Sequence, residues 1–220
     1  MNRKNKYKDY FKSHYNYTFT DDDLKRHKSW FSAQWNYILK NVNFDKNKKV
    51  LEFGSSIGGF LQFLNTYGFT NVLGIDLDKE AVIFAKEKFP NYHFHNIPIE
   101  SLNFKNSFDY IFSFEVLEHL NNPIETVNNI HKLLKTKGKF IGTTPFPYYK
   151  NIYADDTHTY VLHPSNWEKV FLDSGFTKVE TIPMTFFPYL WRLNKNFNIR
   201  IPIYLPFKYF ISTTLIIAEK

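Results

Sequence analysis

The apolar run Lys49-Val50-Leu51-Glu52-Phe53 breaks into Gly54-Ser55-Ser56-Ile57-Gly58-Gly59 and then into a segment of helical periodicity, Gly59 to Tyr67, stopped by Gly68. A chain written this way leaves a buried strand through a tight turn and enters a helix. Glycine takes left-handed backbone without steric cost and lets the main chain come close to a ligand. An acidic residue, Glu52, stands at the end of the strand. A second short strand, Val72 to Ile75, ends on Asp76, 18 residues beyond Gly58. An acidic side chain about 20 residues past a glycine turn, at the end of the next strand, is placed to accept both ribose hydroxyls of an adenosine. Asp76 and Asp78 also precede a helix and suit its N-cap, a role compatible with the first.

The alternation continues along the chain. Helices are expected over Lys79 to Phe89, over Pro123 to Lys135 with Gly138 beyond its end, and over Ser165 to Ser174. The last of these has a capping box of Ser165 and Glu168, and Gly175 as its stop. Strands are expected at Tyr92 to Asn96, Phe108 to Phe114, Lys139 to Thr143, Thr177 to Ile182 and Ser212 to Ala218. Upstream, Thr20 and Asp23 form a capping box before a helix whose Phe31, Trp35, Ile38 and Val42 recur on one face. Strands and helices joined by short links give an α/β protein with a parallel sheet covered on both faces, whose ligands sit at the carboxyl ends of the strands.

Composition narrows the class. Of 220 residues, 43% are hydrophobic and 22% charged, as in a globular chain. Cysteine is absent, which excludes disulfides, thiolate metal sites and cysteine nucleophiles, and fits a cytoplasmic location. Met1 to Tyr17 is polar and basic, so no secretory signal is expected, and no apolar run approaches the roughly 18 residues of a membrane-spanning helix. A net charge of +7 invites a nucleic-acid reading. Its distribution argues otherwise: residues 1–50 hold 12 basic and 5 acidic side chains, 51–180 hold 11 and 15, and 181–220 hold 5 and 1. An acidic centre between basic flanks is not the basic stripe of a nucleic-acid-binding domain.

The glycine turn and Asp76 fit NAD as well as S-adenosylmethionine. Glu52 favours the second, because a carboxylate at the turn suits the amino group of a methionine better than a diphosphate. Val50-Leu51-Glu52-Phe53-Gly54-Ser55-Ser56-Ile57-Gly58 looks like motif I of class I S-adenosylmethionine-dependent methyltransferases, and Gly74-Ile75-Asp76 resembles their ribose-binding strand. The run from Ser107 through Phe114-Glu115-Val116-Leu117-Glu118-His119-Leu120, followed by Asn122-Pro123, is similar to the fourth-strand motif of the ubiquinone/menaquinone-biosynthesis branch. Asp156-Thr157-His158, then a helix, then Ser174-Gly175-Phe176, is similar to a late segment of that branch. The resemblance covers about Lys49 to Val179.

It implies a Rossmann-like, mostly parallel seven-stranded sheet flanked by helices. Residues 1–47 would be an N-terminal helical extension, residues 48–220 the methyltransferase domain, and 182–210 an insertion before the last strand. It implies S-adenosyl-L-methionine as cofactor. Gly54, Ser55, Ser56 and Gly58 would line the methionine moiety, Glu52 would stand near its ammonium, Asp76 would hold the ribose, and Leu77 would pack on the adenine. The loop through Ile97 and Ile99 would meet the adenine edge, and Phe114 or Glu115 would close the pocket. Two positions depart from the family pattern: the middle glycine of motif I is Ser56, and the acidic residue often found after the third strand is Pro98.

Methyl transfer is an in-line displacement in which alignment does most of the work, but an oxygen acceptor needs a base. His119 and His158 are the candidates. Glu115, Glu118 and His119, spaced i, i+3 and i+4, would share one face of a helical turn and could hold a divalent cation, as some quinone-pathway relatives do. The segment Ile182 to Tyr209 has no acidic residue, four basic ones and many aromatics, so it reads as a lid, a partner contact, or a peripheral contact with anionic membrane. The acceptor is expected to be a small molecule or a lipid-linked or glycan-linked group, with nucleic acid disfavoured. A non-catalytic binding protein of the same fold, a nucleic-acid methyltransferase and an NAD-dependent oxidoreductase are the alternatives. The sequence leaves the oligomeric state open.

Overall fold

Helix α1 (Asp21–Asn41) starts where the Asp23 carboxylate accepts from the Thr20 N–H (2.8 Å) and hydroxyl (2.7 Å), so the upstream capping residues act as their spacing predicts. The computed structural model describes residues 19–147, 155–186, 200–201 and 211–220. The basic leader and most of the 182–210 insertion lie outside them. No helix of the described residues is long and apolar enough to cross a membrane.

The remaining elements run β1 (Val50–Phe53), α2 (Gly59–Thr66), β2 (Val72–Ile75), α3 (Lys79–Lys88), β3 (His93–His95), β4 (Phe108–Phe114), α4 (Pro123–Leu133), β5 (Leu134–Pro145), α5 (Pro164–Asp173), β6 (Lys178–Phe186), β7 (Arg200–Ile201) and β8 (Ile211–Glu219). One sheet holds every strand in the order β3-β2-β1-β4-β5-β8-β6-β7. Its first five strands are parallel, and β8 runs antiparallel between β5 and β6. The seven-stranded, mostly parallel sheet is therefore present, with the two-residue β7 added at the β6 edge. The chain moves outward from β1 through β2 to β3, then returns to the other side of β1 as β4. That reversal opens a crevice at the carboxyl ends of β1 and β4.

Two apolar layers sandwich the sheet. Helices α1, α2 and α3 cover one face, where Phe31, Trp35, Phe60, Leu64 and Val82 pack on Val50, Phe112 and Phe114. Helices α4 and α5 cover the other, where Val127, Ile130, Trp167 and Phe171 pack on Leu51, Ile111 and Phe140. Alternation along β4 is broken once. The N–H groups of Asp109 and Tyr110 both donate to the Lys49 carbonyl, at 2.9 and 3.3 Å, and this bulge lets Phe108 and Tyr110 serve opposite layers.

Several boundaries differ from the sequence expectation, among them the start of β5, which is Leu134 rather than Lys139, and the end of β6, which is Phe186 rather than Ile182. Helix α5 begins at Pro164 rather than Ser165, and its N-cap is His163, whose Nδ1 accepts from the Ser165 N–H at 3.3 Å. Proline at the first helical position needs no amide partner, so the start moves back to it. Helix α4 stops at Leu133, and the left-handed residue beyond it is Lys137 (φ 61°), not Gly138. The third strand shortens to three residues.

Candidate active site

Strand β1 delivers Glu52 and then the turn. The N–H groups of Gly54 and Ser55 both donate to the Ile75 carbonyl at 2.9 Å, which ties the turn to the end of β2. Gly54, Ser56 and Gly58 take φ of 80°, 45° and 79°. Ser56 therefore adopts the left-handed backbone that glycine usually supplies at its position. Its strain is offset by an N–H donated to Asp76 Oδ2 at 2.7 Å. Asp76 Oδ1 accepts from the Asp78 N–H at 2.8 Å, and Asp78, not Asp76, caps α3 by accepting from the Ala81 N–H at 2.9 Å. Capping and ligand-facing duties are thus divided between the two aspartates.

Glu52 is buried, and its Oε2 has no hydrogen-bond partner among the described residues. Burial, and then the nearby Asp76 carboxylate, push its pKa well above the ordinary range. Burial also raises Asp76 to about 6, against the opposing pull of the Asp78 and Ser56 amides. The Ser55 and Ser56 hydroxyls are likewise buried without a partner among the described residues. A buried and a half-buried carboxyl group beside two buried hydroxyls form a set that fits a cationic, polyhydroxylated ligand.

Around this corner, Leu77 is 42% exposed, an apolar side chain offered to a ligand. Ile97 is half-buried, but the Ile99 side chain is turned into the α4–α5 layer. Ile99 can therefore meet a ligand in the crevice only through its backbone. Asn96 Nδ2 donates to the carbonyls of Asp76 and Leu77, both at 2.9 Å, and clamps the ends of β2 and β3 together. The Phe114 ring is packed among Trp30, Phe31 and Phe60, at centroid distances of 5.9, 5.2 and 4.7 Å. It forms a wall of the α1–α2 layer. Val116 lies over the turn: a Cβ at Gly54 would stand 2.2 Å from Val116 Cγ2.

A second cluster follows β4. Glu115 (φ 54°) accepts from Thr143 Oγ1 at 2.8 Å. Leu117–His119 is a single 3-10 turn, not an α-helical one. The expected metal set of Glu115, Glu118 and His119 is therefore not what the turn assembles. The side chains whose ligand atoms lie within 4.8 Å of one another are Glu118, His119 and His158. The rings of His119 and His158 are 4.8 Å apart at 60°. Glu118 is buried, its Oε2 accepts from Thr144 Oγ1 at 3.2 Å, and burial with the Glu115 charge pushes its pKa well above the ordinary range. The segment carrying His158 is held in place by the Thr159 and Tyr160 N–H groups, which donate to the Glu118 carbonyl at 2.7 and 2.9 Å. Asn96 lies in no motif, whereas Val116 lies within the fourth-strand run and Thr157 within the Asp-Thr-His run at 156–158, neither of which assigned them a role.

The profile of a family described as "Methyltransferase domain" matches residues 25–181. A tRNA U34 carboxymethyltransferase from Helicobacter pylori (strain HPAG1) is 30% identical over 137 residues, which are 57% of this chain and 51% of that protein. The chain thus spans about half the length of this relative. A demethylmenaquinone methyltransferase from Chlorobaculum parvum is 24% identical over 176 residues, covering 67% of this chain and 73% of the relative. Among solved structures, a Haemonchus contortus phosphoethanolamine N-methyltransferase 2, bound to phosphomonomethylethanolamine and S-adenosylhomocysteine, superposes with a TM-score of 0.73 at 17% identity. That match covers 97% of this chain and 59% of the other.

Proposed function

The chain belongs to the methyltransferase domain family, and on that premise we propose that it transfers a methyl group from S-adenosyl-L-methionine to an oxygen of a small-molecule, lipid-linked or glycan-linked acceptor. The observation that carries this reading is buried Glu52 and half-buried Asp76 beside the left-handed turn 54–58. Bound there, the cofactor supplies an electrophilic methyl carbon on a positively charged sulfur. Glu52 is the anionic partner for the methionine ammonium, and Asp76 the acceptor for the ribose hydroxyls. The turn at Gly54, Ser55, Ser56 and Gly58 shapes the methionine side of the pocket. Leu77 and Ile97 flank the adenine. Phe114 and Glu115 close the crevice from β4, the first as an apolar wall that excludes water and the second held by Thr143.

The names of the relatives span tRNA, menaquinone and phosphoethanolamine chemistry, so the acceptor assignment rests on the second cluster instead. His119 and His158 lie ring to ring after β4, where one imidazole can take the proton of an acceptor hydroxyl. Alignment of the two reactants supplies the rest.

Calorimetry with S-adenosylmethionine, S-adenosylhomocysteine and NAD tests the cofactor assignment. The two sulfur ligands are expected to bind and NAD not; a folded protein that binds neither sulfur ligand sinks the reading. Asp76→Ala is expected to weaken cofactor binding at least about tenfold, the worth of hydrogen bonds to a charged group. His158→Ala is expected to leave cofactor affinity intact and to lower transfer of labelled methyl to phenolic, polyprenyl-linked and glycan hydroxyl compounds by about a hundredfold or more. Equal loss of cofactor binding in both variants refutes this division of roles.

A further inference from the structure

The sheet sorts its charge by end. Its carboxyl end carries the acids of the crevice, Glu52, Asp76, Glu115 and Glu118. Lysines gather at the other end. Lys46, Lys48 and Lys49 precede β1, and Lys105 precedes β4. Lys135, Lys137 and Lys139 lie in the first half of β5, Lys178 opens β6, and Lys220 follows the antiparallel β8. Contacts join them into one surface. Asp109 Oδ2 accepts from the Lys49 N–H at 3.0 Å and from Lys135 Nζ at 2.7 Å. The Lys220 carbonyl accepts from the Lys137 N–H at 3.1 Å. Glu219 lies between Lys139 (3.2 Å) and Lys178 (3.8 Å). Five adjacent strands, β1-β4-β5-β8-β6, thus present a cationic rim about 19 Å long at the usual strand spacing of about 4.8 Å. Segments 45–49, 104–109, 132–139, 178 and 219–220 hold ten lysines and three carboxylates. Lys46, Lys105, Lys132 and Lys137 have no acidic partner among the described residues. Outside the described residues the chain has one acidic side chain, Asp9, too little to neutralise the rim. Summing charge by sequence block conceals this separation, because residues 51–180 contain both ends of the sheet.

A groove opens beside the rim, between the β3–β4 connection and α4. Its volume is about 410 Å³, and Asn103, Phe104, Lys105, Asn129 and Lys132 line it. Phe104 is 44% exposed, with Lys49 Nζ 5.2 Å from its ring centroid. Glu100 also lines the groove, where the Thr126 hydroxyl donates to it at 3.0 Å. A bilayer matches a charged rim but makes no use of a groove lined with amides and an aromatic ring. A nucleotide strand uses all three: phosphates meet lysines, a base face meets the ring, and base edges meet the amides.

We propose that this end of the protein is a binding surface for single-stranded nucleic acid, with the backbone along the lysine rim and an unstacked base on Phe104 in the groove. The strand is a partner here and not the methyl acceptor, because the rim and the crevice lie at opposite ends of the sheet. The surface therefore stands apart from the transfer reaction, and its test needs no cofactor.

Fluorescence anisotropy of the full chain with a labelled single-stranded RNA of mixed sequence, about 20 nucleotides long, tests it over about 50 to 300 mM sodium chloride. The wild type is expected to bind, with affinity falling as salt rises. The triple variant Lys105→Ala, Lys132→Ala and Lys137→Ala removes three charges and leaves the pairs at Asp109 and Glu219 intact. It is expected to lower affinity about a hundredfold at about 0.1 M salt and to flatten the log–log salt slope by about two, at roughly 0.7 for each lost phosphate contact. Phe104→Ala is expected to lower affinity about tenfold with the slope unchanged, as for a lost stacking platform. The same sequence as a duplex is expected to bind less tightly, since its bases are not free to enter the groove. No binding at about 50 mM salt, a triple variant that binds like the wild type, or Phe104→Ala without loss overturns the proposal. So does co-sedimentation with phosphatidylserine vesicles in a protein that ignores the RNA, the outcome for a membrane surface.

Discussion

Glu52 and Asp76 share one corner at the ends of β1 and β2, and each holds its proton to a higher pH than it would in the unfolded chain. Between the unfolded and folded values, 3.8 and about 6 for Asp76, the folded protein binds more protons than the unfolded one. The ligand-free protein therefore loses stability as pH rises through that window. A cationic ligand reverses the preference, since it favours the deprotonated pair and must expel protons to bind. Affinity for S-adenosylmethionine is expected to increase between about pH 5.5 and pH 7.5, with net proton release at the lower value. Calorimetry in buffers of different ionisation enthalpy reads both, and Asp76→Asn should flatten the dependence; a pH-independent affinity contradicts it. The acidic residues and glycines of this corner are legible in the chain because their relation is set by short spacing across one strand, turn and helix. The roles of Asn96 and Thr157 are not: Asn96 bonds backbone carbonyls, which leave no side-chain pattern to read, and the Thr157 hydroxyl meets His119 from 38 residues away. Ile99 shows the converse error: its place in the loop is legible, but not that its side chain turns into the core.

Helix α1 meets α2 at a point with no spare room. A Cβ at Gly59 would stand 2.6 Å from His27 Nδ1 and 2.7 Å from His27 Cβ, and burial lowers the His27 pKa. Gly59→Ala is expected to destabilise the fold by about 1–3 kcal/mol through overpacking, and His27→Ala in the same chain to recover part of that loss. Urea denaturation of the four-member cycle measures it, and additive effects would show that the two residues do not press on each other. At the other end of the sheet, Lys220 Nζ donates to Asn106 Oδ1 (2.9 Å) and to the carbonyls of His131 (2.6 Å) and Leu134 (2.8 Å). These are the open carbonyls at the end of α4, where a cation is favoured. Lys220→Ala is expected to cost about 1–2 kcal/mol by the same measurement. The elements themselves are legible where periodicity and stop residues agree, as in β2, β4 and α2. Boundaries shift where the sequence offers two adjacent signals, as with Pro164 and Ser165 at the start of α5.

The molecule is held as two layers on one sheet, and α1 supplies Phe31, Trp35, Ile38 and Val42 to the same apolar cluster as β1, α2 and β4. Trp35 alone lies within 6.1 Å, centroid to centroid, of Phe44, Phe60, Phe63, Tyr67 and Phe112. Deleting residues 1–42 is therefore expected to abolish the single cooperative unfolding transition, read by near-ultraviolet circular dichroism in urea; a truncated chain that still unfolds sharply would show α1 to be an accessory. The fold class follows from strand–helix alternation, but the aromatic build of this layer does not, since composition alone says nothing of which rings meet. One arrangement also sets the order of assembly. Among the described residues, β6 joins β5 and the strands beyond it across β8, which comes later in the chain. During synthesis from the amino end, β3-β2-β1-β4-β5 can close as soon as β5 emerges. By contrast, β6 must wait for residues 211–219 before the edge that pairs with β8 is filled. That waiting strand is thus the part of this protein a chaperone would shield on the ribosome.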